Sequence, residues 1–273
     1  MKKKVYKVLT VVLVIGLVVG CAGVVRHQVD LHKGAQDYAD AEAIAGFSIP
    51  SGVVQEPEKA EQPEQDQEPE APAEEALPAP VQALRGLDLE ALQEVNGEAG
   101  GWLRIPGIAI SYPLMFGGDN DYYLNHTWKK EVSAVGSIFL DCRNNSNFQD
   151  FNTLVYGHRM RNESMFGLLA GYKDLEFWEK APSVYIVDQR GISRYDIFAA
   201  YEVSVLERTY RLDLQTDEEK EDFIAFALES SAIDTGLVPT AQDKILTLST
   251  CTGRGHATRW VVQAYLTELY ENP

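Results

Sequence analysis

A cysteine and an arginine, Cys251 and Arg259, lie close together in the stretch KILTLSTCTGRGHATRWVVQA at residues 244–264. Most of a free thiol is protonated near neutral pH, so it needs a base or a cationic neighbour to become a good nucleophile. The stretch reads as two strands joined by a glycine-bearing loop, Thr252-Gly253-Arg254-Gly255. Side chains alternate along a strand, so Leu246 and Leu248 share one face and Thr247, Ser249 and Cys251 the other. In the return strand Trp260 and Val262 form the apolar face, with Arg259 and Gln263 opposite. With both apolar faces turned to one core, Cys251 and Arg259 meet on the non-core surface at the mouth of adjacent strands. That pairing suits nucleophilic chemistry, whereas a structural cysteine would want apolar neighbours.

A thiol of this kind calls for a histidine. Of the five in the chain, His27 and His32 lie near the apolar N-terminal segment, and His126 lies in a Tyr-rich loop. His256 falls in the glycine-containing loop just after Cys251 and reads as exposed. His158 directly follows TLVYG at residues 153–157, which places it at a strand's end, where side chains project into a groove. Its residue type alone leaves a purely structural role open.

The elements that must hold these groups are mostly short and β-rich. Strands are predicted over 101–105, 108–113, 137–141, 153–156, 183–187, 193–205, 244–250 and 259–266, with Gln189-Arg190-Gly191 turning between the fifth and sixth. Eight short strands with turn signals predict a mainly β fold, an eight-stranded closed or nearly closed barrel with a few helices. A short helix is expected over 164–172 and another over 87–96, where Leu87, Leu92 and Val95 recur at helical spacing. Thr216-Asp217-Glu218-Glu219 is a capping box opening a long helix through Ser230, between the sixth and seventh strands. Its Phe223, Phe226 and Ala227 stripe reads as core packing.

The chain has 273 residues and a formal charge of -17, which argues against a nucleic-acid partner because phosphate binding needs a basic face. Much of that charge is local: Glu56, Glu58, Glu61, Glu64, Asp66, Glu68, Glu70, Glu74 and Glu75 face the lone Lys59 in a Glu/Pro/Gln/Ala stretch at 55–80. With so little to bury, it reads as a disordered, extended tether. Upstream, residues 8–25 form an apolar run behind Met1-Lys2-Lys3-Lys4, near the lower limit for a spanning helix and oriented to export the C-terminal bulk. A retained anchor is preferred to a cleaved signal peptide or to lipidation at Cys21. The expected organisation is an anchor or signal segment at 1–27, a juxtamembrane segment and linker at 28–85, and a catalytic domain at 86–273, outside a cell membrane. The three cysteines, Cys21, Cys142 and Cys251, make no disulfide framework.

TLSTC with an arginine opening TRWVV, and NTLVYGH followed by MFGLL, resemble the sortases, cysteine transpeptidases of bacterial surfaces. GWLRIPGIAISYPL, YYLNH and GSIFLDCRNN extend the likeness over about 100–266. The long capped helix, the N-terminal anchor and the lack of a C-terminal membrane segment resemble class B more than the pilin-polymerising class C. The resemblance implies a sortase barrel and the catalytic set His158, Cys251 and Arg259. It also implies substrate-groove roles for Asn120, Leu124, Ser249 and Thr252, with no metal or cofactor. The implied partners are surface proteins bearing a C-terminal sorting signal and an amine of a peptidoglycan precursor or cross-bridge. Two departures stand out. Cys142 occupies a position where class B members more often carry tyrosine, and reads as a small buried residue, with an inhibitory bond to Cys251 as the other reading. No acid lies between Cys251 and Arg259, so an accessory acid is unassigned. The competing functions are a cysteine peptidase that only hydrolyses and a catalytically silent surface-binding domain.

Overall fold

The computed structural model describes residues 13, 16, 17, 20, 21, 28, 29, 32–46, 77–253 and 257–272. The strands are β1 (Ala99–Ile105), β2 (Ile110–Met115), β3 (Ile138–Leu140), β4 (Asn152–Tyr156), β5 (Ser183–Asp188), β6 (Gly191–Ser204), β7 (Ile245–Cys251) and β8 (Thr258–Glu271). They close a barrel in the order β1-β2-β3-β4-β7-β8-β6-β5. The β2–β3 and β4–β7 pairs are parallel and the others antiparallel. All eight expected strands are present. The last runs on to Glu271 rather than ending at 266, because β6 supplies a partner along its whole length, Gly191 pairing with Glu271.

The barrel is filled by one set of strand faces and clad by the other. Leu246, Leu248, Val262 and Ala264 join Leu103, Leu114, Ile138 and Val155 in the interior core. On the outer wall, Val261, Ile245, Phe198 and Tyr201 pack under α5 (Asp217–Ser230) through Phe223, Ile224 and Ala227. Burial of such apolar surface, at roughly 25 cal/mol per Å², is the main force holding the helix there. The capping box forms as read: Thr216 Oγ1 accepts from the Glu219 amide and the Glu219 carboxylate accepts from the Thr216 amide.

Smaller elements depart from expectation. The 164–172 stretch is a turn followed by a 3-10 helix, Gly167–Lys173, since Gly167 and Gly171 sit where side chains would strike Met160 and Phe177. A short helix that the sequence pattern had not shown, α4 (Leu175–Lys180), follows directly. The 87–96 helix is present as α3 (Leu89–Val95), its Asp88 cap accepting from Ala91 N at 2.9 Å; Leu92 is buried, but Val95 is exposed.

The packed unit also reaches upstream of residue 86. Val81 and Leu84 of α2 (Ala79–Leu84) are buried, so the stretch from 77 is part of the folded unit rather than tether. Residues 32–44 form a helix, α1, which docks Tyr38, Ala41 and Ala45 on the same core. Trp128 Nε1 donates to Asp37 O at 2.7 Å and Lys129 meets Asp40 at 2.6 Å, tying α1 to the loop between β2 and β3. The expected tether over residues 55–76 and most of the apolar run at 8–25 lie outside the described residues. Among the described residues no helix is long and apolar enough to cross a membrane.

Candidate active site

Parallel pairing of β4 with β7 decides where the histidine and the thiol fall. Tyr156 is level with Ser249, the last pair of that ladder. Gly157 N then donates to Ser249 O at 3.3 Å, so both strands leave the sheet at the same rim. His158 and Cys251 each lie two positions beyond that last pair. On the other side of β7, Cys251 faces Arg259 as the final pair of the antiparallel β7–β8 ladder. The three sequence-predicted catalytic residues are thus gathered on three adjacent strand ends, β4, β7 and β8, and each is half-buried.

The His158 ring is held closely. Its Nε2 lies 2.6 Å from Leu124 O. Gly136, at φ +62°, packs against the ring: a Cβ there would come within 2.9 Å of His158 Cδ2 and 2.8 Å of the Leu124 and Tyr123 carbonyls. Gly157 is required for a similar reason, since a Cβ there would strike Ile138 and Phe166. The strand beneath is clamped through Asp141, which accepts from Tyr156 Oη at 2.8 Å and from the Arg143 guanidinium at 2.7 and 2.9 Å. Burial pushes the Asp141 carboxyl up, but the Arg143 fork, the Arg143 amide and the Tyr156 and Asn120 side chains outweigh it and hold the group at about 2.

Below the thiol the outer wall is polar yet sealed. Thr247 Oγ1 donates to Asn152 Oδ1 at 2.7 Å and accepts from Gln263 Nε2 at 2.9 Å, while Tyr201 Oη donates to Gln263 Oε1 at 2.9 Å. Asn152 Nδ2 also donates to the carbonyls of Thr209 and Arg211, both at 3.0 Å. Every one of these buried groups is satisfied, so the network fixes the β6–β7 excursion against β4, β7 and β8. It brings Tyr210 to Ser249, with the two hydroxyls 2.9 Å apart. Burial raises the Tyr210 phenol above its ordinary range; Ser249 and the Arg259 charge pull it down and Cys251 pushes it up. Tyr210 therefore lies within electrostatic reach of both Arg259 and Cys251.

Of the four substrate-groove candidates, Ser249 is buried beneath Tyr210. Leu124 is exposed at its side chain and touches His158 through its carbonyl. Thr252 is buried, its hydroxyl 3.0 Å from that of Thr258 and its carbonyl accepting from Arg159 Nη1. Asn120 is engaged elsewhere: its Oδ1 accepts from Cys142 N at 2.8 Å, at the end of β3 away from the rim. His126 stacks on Tyr122 at 3.9 Å and takes no part in the cluster. His256 and Arg254 lie outside the described residues.

Cys142 is exposed, not buried as its residue type had suggested, because it follows β3 into a surface turn. Asp141 N bonds Leu154 O, so Cys142 sits beside residue 153, whose β7 partner is Leu246. The thiol of Cys251 is then five residues further along, about 16 Å at strand rise. A disulfide needs Cα atoms within about 7 Å, so this fold does not join the two.

Three contributors escape the sequence reading. Arg159 bridges the histidine and cysteine segments through Thr252 O; its position beside His158 was the one available signal. Glu202 accepts from Thr258 Oγ1 at 2.8 Å, bringing an acid to the β7–β8 lip from β6 rather than from the loop. Tyr210 belongs to an irregular stretch with no periodicity to mark it. A cavity of about 720 Å³ opens beside the rim between Arg159, Met160, Leu168, Thr252 and Gly253.

A family model described as Sortase domain matches residues 103–267. Sortase B of Listeria monocytogenes is 36% identical over 166 residues, covering 60% of this chain and 67% of the relative. The sortase B from B. anthracis in complex with AAEK1 superposes with a TM-score of 0.67 at 31% identity, covering 88% of this chain and 99% of that one. The Staphylococcus aureus sortase B-substrate complex gives 0.63 at 30% identity, covering 67% and 85%. A sortase B complexed with triglycine gives 0.63 at 30% identity, covering 66% and 86%. With the barrel, the matched domain and the class B relatives in agreement, this chain belongs to the sortase family of cysteine transpeptidases, in its class B branch.

Proposed function

We propose that this sortase cleaves the C-terminal sorting signal of surface proteins at Cys251 and passes them to an amine of the peptidoglycan precursor or cross-bridge. The observation that carries the reading is the facing pair Cys251 and Arg259 with His158 on the same rim. The Cys251 thiolate attacks the backbone carbonyl carbon of the signal's threonine, and the carbonyl electrons move onto oxygen. Arg259 stabilises that oxyanion, a contribution of about 3 kcal/mol for a well-placed donor. The C–N bond then breaks and His158, as imidazolium, gives its proton to the leaving amine. The incoming amine attacks the thioacyl carbon, His158 takes the amine proton and the thiolate leaves. The solved relatives complexed with a substrate and with triglycine support a peptide donor and an amine acceptor.

The catalytic domain is proposed to work outside the membrane, held by the apolar run at 8–25 and spaced from it by the Glu/Pro-rich stretch. Protease accessibility of intact cells and fractionation of the full chain test that placement. The chemistry is tested by mass spectrometry with NPxTN-, SPxTG- and PPxTG-like peptides and triglycine. A thioacyl adduct on Cys251, absent in Cys251→Ala and resolved faster by triglycine, is the expected result. Resolution by water at the same rate with and without triglycine would instead identify a hydrolytic peptidase.

A further inference from the structure

We propose that Tyr38, carried on α1 upstream of the Glu/Pro-rich stretch, is a positioning residue for His158, making α1 part of the catalytic apparatus. This rests on His158 being the acid–base group. Tyr38 is buried, and its hydroxyl donates to Gly136 O with Ser137 Oγ 3.3 Å away. Gly136 is the residue whose α-carbon packs on the His158 ring, so Tyr38 holds from behind the wall against which the imidazole rests. Ser137 continues the grip, donating to His126 O at 2.8 Å.

A second arm runs from the same ring. Tyr38 meets Tyr112 edge to face at 5.2 Å, and the Tyr112 hydroxyl accepts from Met165 N at 2.9 Å. Met165 has a φ of 56° and pairs with Arg159, while Phe166 N donates to His158 O at 2.9 Å. A β-carbon-bearing residue in the left-handed region is held there by its surroundings, and here Tyr112 is the holder. The two tyrosines therefore brace the ring of His158 from one side and its backbone from the other. Burial raises both phenols above their ordinary range, so they stay protonated and the Tyr38 hydroxyl keeps its donor role.

The test uses the full-length chain carrying Tyr38→Phe, which removes one hydroxyl and keeps the ring. Trp128→Phe is the comparison, since it breaks another α1 anchor, the side-chain bond to Asp37 O, while keeping the Trp128 backbone and the Tyr38 hydroxyl on Gly136 O. Tyr38→Phe is expected to lower kcat at least fivefold with KM for the sorting peptide within twofold, and to move the His158 ring NMR signals in the resting protein. Trp128→Phe is expected to lower Tm at least as much and leave kcat within twofold. Unmoved ring signals with wild-type kcat in Tyr38→Phe, or equal kcat losses in both variants, overturn the proposal. Wild-type turnover in His158→Ala would overturn the reading of His158 instead, and the ring signals report the Tyr38 contact independently of turnover.

Discussion

Leu124 O and His158 Nε2 lie 2.6 Å apart, and a carbonyl has no proton to give. Neutral His158 therefore carries its hydrogen on Nε2, leaving Nδ1 to accept. Nitrogen-15 NMR of the resting protein is expected to show that tautomer. Transpeptidation by His158→Ala, followed by peptide chromatography, is expected to fall by about 10²–10⁴-fold, the usual worth of a positioned acid–base group.

The facing of Cys251 and Arg259 across the ladder predicts that a point charge will not replace a fork. Guanidinium presents several fixed donors, whereas ammonium is compact and strongly hydrated. Arg259→Lys is expected to lose about 10²–10³-fold in kcat, as for removal of an oxyanion donor. Iodoacetamide labelling of Cys251 should persist in this variant, showing that the thiol remains accessible.

Arg159 pins the Thr252 carbonyl from the histidine's own segment. A bond from a charged donor contributes about 1.5–3 kcal/mol, and here it fixes the residue directly after Cys251. Arg159→Ala is expected to cut kcat/KM about tenfold or more and to speed limited proteolysis in the 252–257 loop. Wild-type proteolysis with wild-type turnover would remove Arg159 from the machinery.

Sequence patterning made the barrel legible because period-two alternation and turn residues are local signals, and all eight strands follow from them. That Cys251, His158 and Arg259 lie at strand ends was legible in the sequence, and family motifs singled them out. The parallel register that sets His158 level with Cys251 was not, since no local signal records which strands become neighbours. Tyr38, Tyr210 and Glu202 went unseen for the same reason: each acts through a contact distant in sequence. Cys142 was misjudged because its residue type favours burial, whereas the turn after β3 turns it outward.

Asp141 gives the fold an acid limit. Its folded value of about 2 lies below the ordinary 3.8, so its stabilisation is present above the unfolded value and is lost as pH falls through the folded one. The shift corresponds to about 2 kcal/mol. Urea melts should lose this amount between pH 4 and 2, on the order of the two values, and Asp141→Asn should be destabilised at pH 7 with a flatter acid limb.

Cys142 is predicted to be a bystander. Cys142→Ser is expected to keep kcat/KM within twofold, and oxidation of the wild type should yield no Cys142–Cys251 crosslink by non-reducing peptide mapping. Such a crosslink would contradict the strand register around Leu246 and Thr153.

Because β4 and β7 run side by side in the same direction, main-chain pairing indexes the backbones of His158 and Cys251 to each other. The chain between them, α4, the β5–β6 hairpin and the α5 excursion, leaves and returns without carrying that alignment. An insertion or deletion within that excursion would therefore leave the registration of His158 with Cys251 unchanged, so long as β4 and β7 still pair.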